Sequence, residues 1–230
     1  MHSNMTLPLS INPPATTAQL TAPIAIMGGS FNPIHFGHLR PALELQQQLG
    51  LAQVKLMPNH VAPHKSHGYS STEQRCDMIQ AAIADMPALC LDMTELSLPQ
   101  PNYTVATLIA LRAANPNTPL CFIIGMDSFI NLPTWHRWLE LLDYCHLIVC
   151  QRPGWQQQYS ESLQQHILPK QTSDITQLHQ RKHGLLYFTQ VTQLDISSSK
   201  IRQLRQQQQS IKYLLPDSVI QYIEDNQLYC

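Results

Sequence analysis

What this 230-residue sequence lacks narrows its chemistry first. No apolar run reaches the roughly 20 residues that a membrane-spanning helix needs. The opening, MHSNMTLPLSINPPATTAQLTAP, has neither the basic flank nor the continuous apolar stretch of a secretory signal. None of the six cysteines forms a CxxC pair, and Cys121, Cys145 and Cys150 lie in apolar runs. They read as reduced core residues, not as a disulfide framework or a zinc site. Together these absences predict a cytoplasmic protein with no membrane partner. The formal net charge is −1 and there is no broad basic stripe, which argues against a nucleic-acid polymer as partner. A small phosphorylated ligand stays open, because it needs only a few cations gathered in one cleft. Also missing are an internal repeat, the GxxxxGK[ST] phosphate loop and the GxGxxG dinucleotide fingerprint.

What is present is an alternation of apolar runs with helical periodicity. Strands are predicted over 24–27, 53–57, 89–92, 120–125, 146–150 and 185–188. Helices are predicted over 39–49, 72–85, 103–114, 134–142, 199–209 and 216–226. The 72–85 helix has cap candidates in Ser70, Ser71 and Thr72 and a buried face of Met78, Ile79, Ala82 and Ile83. Arg75 and Asp77 on it read as an exposed face. The rhythm implies an α/β, Rossmann-like, doubly wound parallel sheet with helices on both faces. Residues 1–21, rich in proline and threonine, read as a flexible extension, and 22–230 as one domain. Long loops are predicted at 58–70 and 151–183.

The stretch GGSFNPIHFGHLRPA, residues 28–42, stands where the first strand gives way to the first helix. In open parallel sheets ligands bind beyond the carboxyl ends of the strands. Gly28 and Gly29 let a ligand approach the backbone. A helix starting near Gly37 keeps Pro41 inside the first turn and places His38 at the N-terminus, where free N–H groups attract anions. His35 lies just before it. Both imidazoles can donate to phosphate oxygens, and bring charge when protonated. An ordinary turn with two surface histidines, or a metal pair, are the rival readings. No further ligand cluster supports the metal.

Two motifs make the sequence recognisable. GGSFNPIHFGH resembles the GGxFxPxHxGH signature of the HxGH nucleotidyltransferase superfamily, and ISSSKIR at 196–202 resembles its second signature, ISSTxIR. Within that superfamily the chain from about residue 22 onward is similar to the bacterial nicotinate-mononucleotide adenylyltransferases, through PNHVAPHK, NYTVATL, FIIGMDS, LPTWHRW and IVCQRPG. Asn32 stands where many members have Asp, and Ser199 where many have Thr. The resemblance implies adenylyl transfer from ATP to nicotinate mononucleotide, giving deamido-NAD and pyrophosphate. Sibling readings are use of nicotinamide mononucleotide or phosphopantetheine as acceptor. A reading of another class is a non-catalytic nucleotide sensor.

The remaining motifs divide between structure and chemistry. In DISSSKIRQLR, Ser198 or Ser199 can cap the next helix, while Lys200 and Arg202 oppose its dipole by about 0.3–1 kcal/mol each unless an anion compensates. Asn59, His64 and Lys65 by themselves read as a hydrophilic loop, Tyr103 and Thr104 as a helix cap, and Asp127 as a cap after Gly125. Trp135, Trp138 and Leu139 read as core spacing, and Arg152 as a surface arginine. The resemblance implies more. It makes His35, His38 and Arg202 catalytic. It makes Gly28, Gly29, Ser30, Phe31, Gly125, Asp127, Arg152, Ser198 and Ser199 ATP contacts with them. It makes Asn59, His64, Lys65, Tyr103, Thr104 and Trp135 contacts to the mononucleotide. His136 joins that group with its role open. No protein-bound metal is expected; Mg²⁺ would arrive on ATP. Homo-oligomerisation is left open.

Overall fold

The computed structural model describes residues 20–60, 70–151 and 158–230. Nearly all of the predicted extension, and His64, Lys65 and Arg152, therefore lie outside the described residues. In chain order the elements are β1 (Ile24–Gly29), α1 (Phe36–Gln48), β2 (Gln53–Pro58), α2 (Thr72–Ile83), β3 (Leu89–Leu91), α3 (Thr94–Ser97) and α4 (Thr104–Ala114). There follow β4 (Leu120–Gly125), α5 (Met126–Ile130), α6 (Leu141–Tyr144), β5 (His146–Gln151), α7 (Glu161–His166), α8 (Thr176–Gln180), β6 (Leu186–Gln190), α9 (Ser198–Gln206) and α10 (Asp217–Asp225).

The six strands form one sheet in the order β3-β2-β1-β4-β5-β6, with every neighbouring pair parallel. Alternation along β1 explains why helices are needed on both sides. Ala25 joins a core layer with Leu45, Met78, Ile79, Ile201, Val219 and Ile223, from α1, α2, α9 and α10. Ile24 and Ile26 join the other layer with Leu108, Leu111, Phe129 and Leu141, from α4, α5 and α6. This is the expected doubly wound α/β fold. The strand order reverses between β1 and β4, which opens a crevice beyond their carboxyl ends.

Local details depart from the sequence expectation. α1 begins at Phe36, so Pro41 sits in the second turn and the carbonyl four residues back, on Gly37, loses its usual donor. The predicted 134–142 helix is instead two 3₁₀ turns, Leu132–Thr134 and Trp138–Glu140, followed by α6. Arg137 between them has φ 53°, which no α-helix accommodates. Leu139 is half exposed, not core. The supposed long loop 151–183 contains α7 and α8. α2 carries the capping box its sequence offers: Ser71 Oγ accepts from Gln74 N at 3.1 Å, and Ser71 N donates to Gln74 Oε1 at 2.9 Å.

Candidate active site

The turn after β1 is held from below. Phe31, in the left-handed region at φ 46°, is fully buried and packs edge-on to His38 at 5.1 Å. A side chain at Gly29 would meet the Phe31 ring at 3.0 Å, so this glycine is needed for packing as well as for approach. His35 occupies the N-cap position of α1 with extended backbone and no side-chain cap, and its ring stacks on that of His38 at 3.8 Å. Burial lowers His35 to about 4; burial, then the neighbouring His35, lowers His38 to about 3. Both imidazoles are therefore neutral near pH 7 in the ligand-free protein, each offering one N–H and no charge. Their Nδ1 atoms are buried without a hydrogen-bond partner among the described residues. Of the two residues, His38 also lines the cleft described below, where a polar ligand or water completes an unsatisfied polar atom.

Gly37 brings the second signature against the first. An added Cβ there would lie 2.9 Å from His35 Nδ1 and 3.2 Å from Ile196 O. Ser198 Oγ donates to Pro33 O at 2.9 Å, and Arg202 Nη1 donates to Asn32 O at 2.8 Å. Arg202 Nη2 donates to Ser199 Oγ at 3.2 Å. Thus 160-odd residues of intervening chain close so that both signatures share one turn. The cap of α9 is Ser197, whose Oγ accepts from Lys200 N, and not Ser198 or Ser199 as the sequence offered. Those two hydroxyls are thereby left for the turn and for Arg202.

A cleft of about 540 Å³ lies over the carboxyl ends of β1 and β4. Among the predicted residues it gathers Gly28, Gly29, His38, Asn59, Thr104, Gly125 and Trp135. Trp135 stands edge-on to Phe122 at 6.5 Å, while Trp138 turns away to His166. A side chain added at Gly125 would meet nothing within 4 Å, so the cleft wall is open there. Tyr103 and His136 lie ring to ring at 4.4 Å in a neighbouring recess, which shares Thr104 and Trp135 with the cleft. Tyr103 is the N-cap residue of α4 but makes no side-chain cap. Ser30, Phe31, His35, Asp127, Ser198, Ser199 and Arg202 do not line the cleft itself. Asp127 is exposed in α5, and Phe31 has only its backbone to offer.

Sequence reasoning missed several groups. Ser128 and Glu95 line the cleft. Ser128 adjoins the noted Gly125–Asp127 motif, which was the available signal. Arg75, read as exposed, is fully buried: Nη1 donates to Ser30 O and Nη2 to Asn59 O, each at 2.8 Å. It ties the turn after β1 to the end of β2. Asp77 is half-buried and accepts from Tyr222 OH at 2.7 Å.

Comparison with known proteins gives a consistent picture. A family model described as cytidylyltransferase-like matches residues 26–204. A protein of Aeromonas salmonicida named "Probable nicotinate-nucleotide adenylyltransferase" is 46% identical over 210 residues, covering 91% of this chain and 98% of its own length. One of Psychromonas ingrahamii with the same name is 47% identical over 206 residues, covering 90% and 96%. Among solved structures, the nicotinic acid mononucleotide adenylyltransferase of Plasmodium falciparum complexed with NaAD has a similar fold. Its TM-score is 0.68 at 21% identity, over 91% of this chain and 98% of that one.

Proposed function

The chain belongs to the cytidylyltransferase-like family, and from that membership and the lining of the cleft we infer an adenylyltransferase of pyridine nucleotide biosynthesis. It transfers the adenylyl group of ATP to nicotinate mononucleotide, releasing pyrophosphate. The observation that carries this reading is the docking of Ser198 and Arg202 onto the turn that carries His35 and His38, of which His38 lines the cleft between β1 and β4.

The step is an in-line displacement. A phosphate oxygen of the mononucleotide bonds to the α-phosphorus of ATP as the bond to the β-phosphate bridging oxygen breaks, and the electron pair leaves with pyrophosphate. The attacking phosphate monoester is already anionic near neutral pH, so no strong general base is required. The protein aligns the two substrates, an effect that supplies about 7–11 kcal/mol of a barrier where geometry is well fixed. In this reading His35 and His38 donate to the α- and β-phosphates. Arg202 with Ser198 and Ser199 holds the departing pyrophosphate, and Ser30, Phe31 and Gly125 present backbone to the nucleotide. Asp127 takes a ribose hydroxyl. Asn59, Thr104, Tyr103, Trp135 and His136 receive the mononucleotide, with Trp135 against the pyridine.

Among the described residues no group of three or more His, Cys, Asp or Glu is arranged to hold a metal ion. Mg²⁺ in our reading travels on the triphosphate, where it supplies charge neutralisation, with phosphate oxygens and water as its ligands. Among the described residues no helix is long and apolar enough to cross a membrane. All six cysteines are unpaired, which suits the reducing cytoplasm, where we place the enzyme.

The test is pyrophosphate release with ATP and a panel of acceptors: nicotinate mononucleotide, nicotinamide mononucleotide and phosphopantetheine. Turnover highest with the nicotinate acceptor is expected. ATP binding with no pyrophosphate release from any acceptor would overturn the reading.

A further inference from the structure

The same turn is held from a third side, by the end of the chain. After α10 the backbone enters the left-handed region at Gln227 (φ 50°) and again at Tyr229 (φ 61°). Such conformations are costly for a bulky residue and persist only where contacts enforce them. Here they turn the Tyr229 ring inward, leaving the residue 9% exposed. Its hydroxyl donates to Asn32 Oδ1 at 2.6 Å. Ser70 Oγ donates to the same oxygen at 2.6 Å, and Ser70 N at 3.3 Å. The two hydroxyl oxygens also touch each other. The Ser70 N–H requires an acceptor at that point, so the oxygen of the Asn32 amide faces the cluster and its Nδ2 is the buried atom with no partner among the described residues. Burial pushes the Tyr229 phenol up to about 12, so it remains a donor throughout the neutral range.

Asn32 is thus a junction. Its side chain is gripped by the C-terminal tail and by the residue preceding the α2 cap, and its carbonyl is the acceptor for Arg202. The next carbonyl, on Pro33, accepts from Ser198, and two residues further on stands His35. Movement of Asn32 would shift the carbonyls on which the second signature docks and the turn that carries both histidines. No other side chain in this cluster comes from so far along the chain.

We propose that Tyr229, the penultimate residue, is a positioning residue for ATP, fixing the phosphate-binding turn through Asn32. The role rests on the nucleotide reading of the cleft given above, but it is tested by ATP affinity, which requires no acceptor. Tyr229→Phe removes one hydroxyl and keeps the ring. By calorimetry it should bind ATP about 3- to 10-fold more weakly, the loss of one buried hydrogen bond. Ser70→Ala should give a similar loss. In the Asn32→Leu background Tyr229→Phe should change ATP affinity less than twofold, because the shared acceptor is gone. In turnover the loss should fall on ATP, with the KM of the mononucleotide unchanged within twofold. A purely structural tyrosine would lower the melting temperature and leave ATP affinity within twofold of the parent in both Tyr229→Phe and Ser70→Ala, and that result would overturn the proposal. Failure of every acceptor in the pyrophosphate assay would refute adenylyl transfer while leaving this comparison of ATP affinities intact.

Discussion

Lowering the pH from 7 to 5 should remove a large part of this protein's stability, and ATP should restore some of it. Three histidines carry the effect. Burial lowers His35 and His146 to about 4 and His38 to about 3, against 6.5 for an ordinary imidazole. His146 is tied in its neutral form: Nε2 bonds Arg181 O at 2.9 Å, and Nδ1 accepts from Leu185 N at 3.2 Å. A proton on Nδ1 would break the second bond. Because the unfolded chain takes up protons first, the stability these groups contribute is complete above about pH 6.5 and is lost as pH falls from there toward 4. Linkage gives about 1.8 kcal/mol per histidine between pH 7 and 5, and about 5 kcal/mol for the three. A domain of ordinary stability holds about 5–15 kcal/mol in total. Glu95, raised by burial, opposes the trend in part. Glu44, bonded by Thr192, and Asp92, where burial is outweighed by Lys55 and Thr94 acting together, are held below the usual carboxylate range. Their contributions fade only at lower pH. Urea unfolding followed by tryptophan fluorescence should show the midpoint falling by about 2 M between pH 7 and 5, for a slope near 2 kcal/mol/M. Saturating ATP favours the imidazolium forms of His35 and His38 and should reduce the fall, leaving the His146 share, which His146→Gln should remove. A midpoint that moves less than about 0.5 M, or that moves equally with and without ATP, would refute the reasoning.

Three further outcomes follow from the geometry. Gly125→Ala adds a methyl that meets nothing within 4 Å, whereas Gly29→Ala drives one to 3.0 Å from the Phe31 ring. Thermal unfolding should therefore leave the first within about 2 °C of the parent and lower the second by several degrees, while calorimetry shows the first losing ATP affinity; unchanged affinity would take the nucleotide away from Gly125. Trp135→Ala should raise the KM of the mononucleotide about tenfold or more, the loss of a stacked ring, with little change for ATP; equal rises in steady-state kinetics would contradict the placement. Arg75→Met strips the donor from Ser30 O and Asn59 O and should cost about 2–4 kcal/mol in urea unfolding; a loss below about 0.5 kcal/mol would return Arg75 to the surface role its sequence suggests.

The strands were readable because most are built on a short apolar run, too short for a helix, as in Leu120–Gly125 and within His146–Gln151. α2 was readable because its cap is local, written within four residues. The segment around Trp135 was not. Its indoles are spaced as for one helical face, but Trp135 turns to Phe122 and Trp138 to His166, and Arg137 breaks the backbone between them. Arg75 was opaque for a related reason. Apart from Thr72 Oγ1 on its own helix, its acceptors are main-chain carbonyls of two distant segments, Ser30 and Asn59, which leave no side-chain signature. The two signatures could be recognised separately. That they meet at Asn32 and Pro33, with Tyr229 beneath, is a property of the folded chain alone.

This arrangement fixes when the protein acquires its nucleotide grip during synthesis. The histidine turn is synthesised early, whereas Ser198, Arg202 and Tyr229, three of the groups that hold it, follow their acceptors by 165, 170 and 197 residues. A nascent or prematurely terminated chain therefore carries the first signature without its clasp.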